Sequence, residues 1–220
     1  MKKLYLKFKN PQILKTAFTH RSFLNENRSV KKSNERLEFL GDAVLSFIIS
    51  SYLYNLHPFD TEGDLTNLRS YIVKTESLAK TSKELELGKY LLMSKGEEHS
   101  GGRENTQLLA NTFEALLGAI YLDQGIEAAK TMVKKFLLPN FGSELKIGPP
   151  KDAKSRLQEV VQQSSKRSPF YKILGTKGPD HLRIFRVGVF INGKEFGTGE
   201  GSSKQEAEEE AANQALGKLT

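Results

Sequence analysis

The sequence predicts two domains, an all-α domain followed by a smaller α+β domain with the element order α-β-β-β-α. Apolar residues recur with helical spacing up to about residue 145. Two consecutive prolines, Pro149 and Pro150, then exclude a continuous helix. Beyond them, strand-like segments lie between two helical ones. We therefore expect a first domain over residues 1–146, a linker over 147–151 and a second domain over 152–220.

Helices account for all the regular structure predicted in the first domain. Their apolar residues repeat every three or four positions, and short Gly, Pro or charged stretches separate them. The predicted helices are Pro11–Phe18, Glu35–Tyr54, Glu62–Leu85, Gln107–Leu122 and Ile126–Leu138.

In the second domain, two helices are predicted to flank three strands. The pair Asn192-Gly193 is a strong signal for a two-residue hairpin between the second and third strands. Ser203 followed by Glu206 predicts a capping box at the start of the last helix. The predicted elements are Asp152–Gln163, Phe170–Thr176, Arg183–Ile191, Lys194–Gly199 and Ser203–Leu219.

Composition limits the chemistry that the chain can perform. Its 220 residues contain no cysteine, which excludes disulfides, thiolate metal sites and cysteine nucleophiles. A formal charge of +7 favours an anionic partner, although a merely soluble basic protein has the same balance. We find no secretory signal and no apolar run of about 18 residues, so we expect a soluble, cytoplasmic protein without a membrane partner.

Two pairs of oxygen-bearing side chains interrupt strongly apolar helices. Glu38 and Asp42 lie four residues apart in one helix, and Asn111 and Glu114 lie three apart in another, so each pair shares a helical face. Like charges in or beside a core need compensation, and carboxylate and amide oxygens are suitable ligands for a hard cation such as magnesium. The alternative is that these four residues are independently solvated or hydrogen-bonded.

Two other patterns are weaker signals. Gly197-Thr198-Gly199-Glu200-Gly201 resembles a phosphate-binding glycine loop but lacks the spacing of one, so we interpret it as the end of a strand. The histidines His20, His57 and His99 show no metal-ligand spacing and form no supported nucleophilic triad.

Residues 34–45, NERLEFLGDAVL, resemble the signature of the bacterial-type ribonuclease III family. The segment THRS (19–22) precedes this signature, and EGDLTNLRS (62–70), GGRENTQLLANTFEALLGAIYLDQG (101–125) and the second domain follow it, all in that family's order. The resemblance covers essentially the whole chain. It implies an all-α endonuclease domain that dimerises, followed by an α+β double-stranded RNA-binding domain.

The implied activity is magnesium-dependent hydrolysis of double-stranded RNA, with manganese as a substitute ion. Products would carry 5′-phosphates, 3′-hydroxyls and short 3′ overhangs, and the processing of ribosomal and messenger RNA is the implied context. By resemblance, Glu38, Asp42 and Glu114 are catalytic and metal-binding positions, and Glu62 and Glu35 are acidic residues near the site. The family usually has aspartate where this chain has Asn111; an amide oxygen still binds magnesium but more weakly, so the site retains a fourth ligand with less charge.

The resemblance also implies a set of RNA-binding residues. Ser155, Gln158, Glu159 and Gln162 would contact a minor groove, His181 would reach a second one, and Ser202, Ser203 and Lys204 would contact phosphates. Related domains usually concentrate basic residues at this last position, whereas here glutamates follow Lys204. Residues 151–220 contain 12 basic and 9 acidic residues, so we expect modest affinity for RNA and a shallow dependence on salt.

Three functions stay open at the level of sequence. The first is an active endoribonuclease that works as a homodimer. The second is a double-stranded RNA-binding protein whose nuclease centre is weakened or inactivated by asparagine at position 111. The third is a scaffold that uses the RNA-binding domain for localisation alone.

Overall fold

The computed structural model of the protein describes residues 8–147, 152–165, 168–179 and 182–219. By its internal contacts the chain divides into two compact units, residues 1–149 and 150–220. Most of the predicted linker, residues 148–151, lies outside the described residues.

Helices form the first unit. A π-helical turn follows α8 at Val133–Leu137, and short 3₁₀ turns lie at Leu87–Tyr90, Gly102–Glu104 and Leu138–Phe141. The helices are α1 Pro11–Ala17, α2 Phe23–Glu26, α3 Glu35–Leu56, α4 Glu62–Val73, α5 Thr75–Glu84, α6 Lys95–His99, α7 Thr106–Gln124, α8 Ile126–Met132 and α9 Glu144–Ile147.

One predicted helix is in fact two. The segment predicted as a single helix over Glu62–Leu85 breaks at Lys74, whose extended dihedral angles end α4 and begin α5. The Ser77 hydroxyl donates to the Tyr71 carbonyl and satisfies one of the oxygens left free at this break. The bend lets both helices turn an apolar face to the core, so the prediction of one continuous helix is wrong.

The centre of the first unit is the contact between α3 and α7. Gly41 and Gly118 make that contact close: a Cβ at Gly41 would lie 1.8 Å from the Glu114 carbonyl oxygen, and one at Gly118 would lie 2.3 Å from the Leu37 carbonyl oxygen. Around this contact, large apolar side chains are fully buried, among them Leu45, Ile49, Leu53, Phe113, Leu116, Leu117 and Ile120.

Helix α3 has the length and composition of a membrane span, the one such helix among the described residues. It contains no uninterrupted run of about 18 apolar residues, because charged residues such as Glu38 and Asp42 interrupt it, and a buried core helix can have the same length and composition. The helix is strongly apolar because one of its sides packs into the core through residues such as Leu45 and Leu53. The opposite side leaves Phe39, Phe47 and Tyr54 between 59% and 81% exposed.

The second unit is an antiparallel sheet of order β1-β2-β3 with two helices. Asn192 and Gly193 both have positive φ, at 52° and 79°, which confirms the predicted hairpin turn. The helices share one core with the sheet through Leu157, Val189 and Ala211. The elements are α10 Ala153–Ser165, β1 Phe170–Lys177, β2 Ile184–Ile191, β3 Lys194–Gly201 and α11 Lys204–Leu219, which confirms the predicted order.

The glycine-rich segment 197–201 forms the last five residues of strand β3, as interpreted from the sequence, and is not a phosphate loop. A Cβ at Gly199 would lie 2.3 Å from the Ala207 carbonyl oxygen, so glycine allows α11 to pack directly on this strand. Side chains of α11 then accept hydrogen bonds from alternate backbone N–H groups along the chain: Gln214 from Thr198, Glu210 from Glu200 and Glu206 from Ser202, at 2.7–2.8 Å. These bonds cover the edge of the sheet.

The predicted capping box at Ser203 forms in part. The Ser203 hydroxyl accepts a hydrogen bond from the Glu206 N–H at 3.1 Å, as predicted. The reciprocal bond is displaced by one residue, because the Glu206 carboxylate accepts from the N–H and hydroxyl of Ser202. Helix α11 accordingly begins at Lys204, after both serines.

Candidate active site and RNA-binding surface

The contact between α3 and α7 brings the predicted acidic residues into one cluster. Glu38 and Asp42 come from the first two turns of α3, and Asn111 and Glu114 come from the first half of α7. Glu38, Asn111 and Glu114 are half-buried and Asp42 is exposed, so the cluster lies beside the core and open to solvent. The two glycines at the contact let the helix backbones approach closely enough for this.

Electrostatics within the cluster favour a cation. Burial, with smaller effects from the neighbouring charges of Asp42 and Glu38, raises the pKa of Glu114 to about 7. Burial also raises the pKa of Glu38, with Glu35 and Asp42 adding to the effect and a hydrogen bond from Asn111 opposing it. Among the residues that the structure describes, no basic side chain contributes to either shift. A bound cation would relieve this repulsion.

The residues fit a hard divalent ion by donor chemistry. The cluster offers carboxylate oxygens, which are the ligands that magnesium and manganese prefer. Within the described residues, no group of three or more Asp, Glu or His side chains is already arranged as a metal-binding shell. The cluster is therefore an acidic, solvent-accessible group whose side chains would have to adjust around an ion.

A cavity of about 230 Å³ lies beside the cluster, and sequence reasoning did not assign its basic residues. Its lining includes Glu35, Glu38 and Asn111 together with His20 and Arg21. Arg21 pairs with Glu35 at 3.4 Å, and His20 Nδ1 lies 2.9 Å from the Ser22 hydroxyl. The motif THRS was the available signal, since it preceded the signature helix in the family's order.

Of the two acidic residues predicted to lie near the site, Glu35 lines the cavity and Glu62 does not. It is exposed in the first turn of α4, where its carboxylate accepts a hydrogen bond from the Thr66 hydroxyl at 3.0 Å. It neither lines the cavity nor contributes to the pKa shifts of Glu38 and Glu114. Its proximity to the site stays a prediction.

Another residue outside the predicted site touches it directly. Gln107, one turn before Asn111 on α7, donates from Nε2 to the Asn111 Oδ1 at 2.7 Å. The helical spacing of the two residues is the one sequence signal for this bond.

Most of the predicted RNA-binding residues lie on the surface of the second unit. Ser155, Gln158 and Ser203 line one open groove of about 560 Å³ between the starts of α10 and α11. The other described members, Glu159, Gln162, Ser202 and Lys204, are also exposed. His181 lies outside the described residues, so its predicted contact with a groove stays a prediction.

The glutamates that follow Lys204 have partners inside the second unit. Glu208 forms an ion pair with Lys154 at 2.5 Å, and Glu209 accepts a hydrogen bond from the Ala153 N–H. Glu210 binds the backbone of β3 at Glu200, and Glu206 binds that of Ser202 just after the strand, as described above. These glutamates therefore stabilise the packing of α11 against β3 and α10.

An all-helical domain with an acidic cluster, followed by an α-β-β-β-α domain, defines a class of protein: a nuclease with an attached RNA-binding domain. Residues 10–141 match the family described as Ribonuclease-III-like, and residues 153–219 match the Double-stranded RNA binding motif. The chain belongs to the ribonuclease III family, whose members are endoribonucleases and are in general metal-dependent.

Similar proteins and structures agree with this assignment. The chain is 46% identical to Ribonuclease 3 of Protochlamydia amoebophila over 220 residues, covering 99% of this chain and 89% of that protein. It is 48% identical to Ribonuclease 3 of Pelotomaculum thermopropionicum, covering 97% and 89%. The nuclease domain of ribonuclease III from Campylobacter jejuni aligns with a TM-score of 0.60 and 42% identity, covering 64% of this chain and 94% of that one. That structure is described as flexible in a region involved in dimer formation.

Proposed function

We propose that this protein is a magnesium-dependent endoribonuclease that cleaves double-stranded RNA into products with 5′-phosphates, 3′-hydroxyls and short 3′ overhangs. The observation that carries the proposal is the cluster of Glu38, Asp42 and Glu114, which form no ion pair with a basic side chain of the described residues. Its place in a ribonuclease III-type domain, ahead of an RNA-binding domain, supplies the reaction class.

The three carboxylates would hold the ion, with Asn111 beside them. Glu114, whose pKa is about 7, would release its proton as the ion binds. When bound, magnesium supplies an activated nucleophile at neutral pH and stabilises charge that develops on the phosphate and leaving oxygens. Manganese has the same preference for oxygen ligands and would substitute.

Substrate choice would come from the second domain. A-form RNA presents a shallow minor groove with 2′-hydroxyls, which exposed Ser and Gln side chains can contact without reading a sequence. The groove lined by Ser155, Gln158 and Ser203 supports this contact. The N-terminus of α11, with Lys204 in its first turn, would bind backbone phosphate.

The protein would act as a homodimer, so that two centres cut the two strands. The exposed side chains Phe39, Phe47 and Tyr54 fall within a narrow stripe of α3, and burying them offers a strong driving force for association. The description of the Campylobacter jejuni domain as dimer-forming supports the same assembly. A stable monomer at micromolar concentration in light scattering would contradict it.

Cleavage of a long RNA duplex with and without magnesium tests the proposal. We expect the natural chain to cut in magnesium, Asn111→Asp to cut as well, and Glu114→Gln to be inactive while still binding RNA. Activity that appears only in Asn111→Asp would instead favour the RNA-binding protein with a disabled centre. Binding without cleavage by any form would refute the nuclease.

A further inference from the structure

A buried amide without a hydrogen-bond partner stands immediately before helix α3. It belongs to Asn34, which is only 4% exposed. An asparagine in this position usually caps the helix by accepting a hydrogen bond from a backbone N–H of the first turn. Here the backbone of Asn34 is already helical, with φ −76° and ψ −11°, and the side chain makes no capping bond. The Asn34 amide makes no other hydrogen bond to a residue that the structure describes.

The Asn34 side chain lines the cavity of about 230 Å³ beside the acidic cluster. Buried polar side chains are nearly always hydrogen-bonded, so one without a protein partner indicates a ligand or ordered water. One water molecule takes up about 30 Å³ in the liquid. The cavity is therefore much larger than a single water needs, and it has room for a larger polar group.

His20 adds a hydrogen-bond donor to the same cavity. Its Nδ1 accepts from the Ser22 N–H at 3.4 Å and lies 2.9 Å from the Ser22 hydroxyl. That hydroxyl in turn accepts from the Ser94 N–H, which leaves its own proton for His20. Because a ring nitrogen that accepts carries no proton, the neutral imidazole has its proton on Nε2. The ring that lines the cavity can therefore donate to a ligand.

The rest of the lining favours a neutral group with both polar and apolar surface. The carboxylates of Glu35 and Glu38 would repel a phosphate, and Arg21 is already paired with Glu35 at 3.4 Å. Leu91 and Leu108 supply apolar contacts. A ribose has this combination, since its C–H groups are apolar and its 2′-hydroxyl both donates and accepts hydrogen bonds.

We propose that this cavity is a ribose subsite, in which Asn34 and His20 hydrogen-bond the 2′-hydroxyl of a nucleotide next to the cleaved phosphate. Glu38 belongs both to the cavity lining and to the acidic cluster, so a sugar in the cavity lies beside the reacting phosphate. The nuclease domain then distinguishes RNA from DNA by itself, in addition to the second domain. The inference rests on the proposed function, which it deepens by naming a substrate group that the active site recognises.

Single-turnover cleavage of an RNA duplex with one defined cleavage site tests the subsite. In a series of substrates, the 2′-hydroxyl is replaced by hydrogen at one nucleotide at a time on either side of the cleaved bond. We expect one position at which the natural chain cuts about tenfold more slowly, because the buried Asn34 amide is left unpaired. With saturating protein, the change is in the rate of cleavage and not in the binding of RNA.

Asn34→Ala should cut the all-RNA duplex about tenfold more slowly and should no longer distinguish it from the duplex lacking that hydroxyl. His20→Ala should lower the same ratio of rates. Each ratio compares two substrates on one protein, so a partly unfolded variant still reports it correctly. Asn25→Ala is the matched control and should keep the natural ratio, since Asn25 is exposed on α2 and does not line the cavity.

Two results would overturn the subsite. The first is that the natural chain cuts every singly substituted duplex as fast as the all-RNA duplex, which would leave the cavity to ordered water. The second is a tenfold ratio that persists in Asn34→Ala and His20→Ala, which would mean that another contact reads the hydroxyl. A natural chain that leaves the all-RNA duplex intact in magnesium would refute the proposed function and the subsite with it, so the two failures are distinguishable.

Discussion

Glu114→Gln should stabilise the metal-free protein at alkaline pH, because the native fold holds this carboxylate in an unfavourable place. A pKa raised from 4.5 to about 7 corresponds to at most about 3.4 kcal/mol of native-state cost. Glu114 is only partly buried, so solvent screening reduces this to about 1–2 kcal/mol. Below pH 4.5 the Glu114 carboxyl is protonated in both the folded and the unfolded protein, so its cost to stability vanishes. Between 4.5 and 7 the unfolded chain loses its proton first, so stability falls as pH rises, and above 7 the full cost applies.

Thermal unfolding in EDTA at pH 8 and at pH 5 measures this cost. We expect Glu114→Gln to raise the Tm by about 3–6 °C at pH 8 and by little at pH 5. Glu104→Gln, an exposed carboxylate in the same domain, serves as the control and should show no such dependence on pH. A Tm for Glu114→Gln at or below that of the natural chain at pH 8 would refute the account of the cluster's electrostatics.

Four further results are expected. Gly41→Ala should destabilise the first domain in urea by more than about 3 kcal/mol, because its Cβ would lie 1.8 Å from the Glu114 carbonyl oxygen, whereas Gly63→Ala, with 3.7 Å of clearance, should be near neutral. Gln214→Ala should cost the second domain about 1 kcal/mol in the same assay by uncovering a β3 N–H. Phe39→Asp should give monomers in light scattering with unchanged unfolding, since the ring is 81% exposed. The slope of log K against log salt for RNA binding should be shallower than about −5, and a steeper slope would mean more than about five phosphate contacts.

The sequence was sufficient to predict the main helices and the whole second domain. Helices α3 and α7 were predicted within two residues of their observed ends because their apolar repeats are long. The hairpin at Asn192-Gly193 was predictable because its turn requires positive φ. The break at Lys74 was not, since tertiary packing of α4 and α5 decides it and no glycine or proline marks it.

The pairing of Glu38 and Asp42 with Asn111 and Glu114 was also within reach of sequence, because isolated polar faces on two apolar helices suggest a shared centre. The hydrogen bond that the Asn111 amide oxygen accepts from Gln107 was not, since helical spacing alone does not set the direction of an amide side chain. The structural role of the glutamates in α11 could not be predicted from the sequence either. Their partners are backbone groups of β3 and α10, which no spacing within the helix reveals.

The most direct test of the central claim is cleavage of a long, perfectly paired RNA duplex, with the product ends mapped. We expect the natural chain in magnesium to yield 5′-phosphates, 3′-hydroxyls and short 3′ overhangs, and we expect EDTA or Glu114→Gln to abolish cleavage while RNA binding persists. Intact duplex after incubation of the natural chain with magnesium, or equal cleavage by Glu114→Gln, would contradict it.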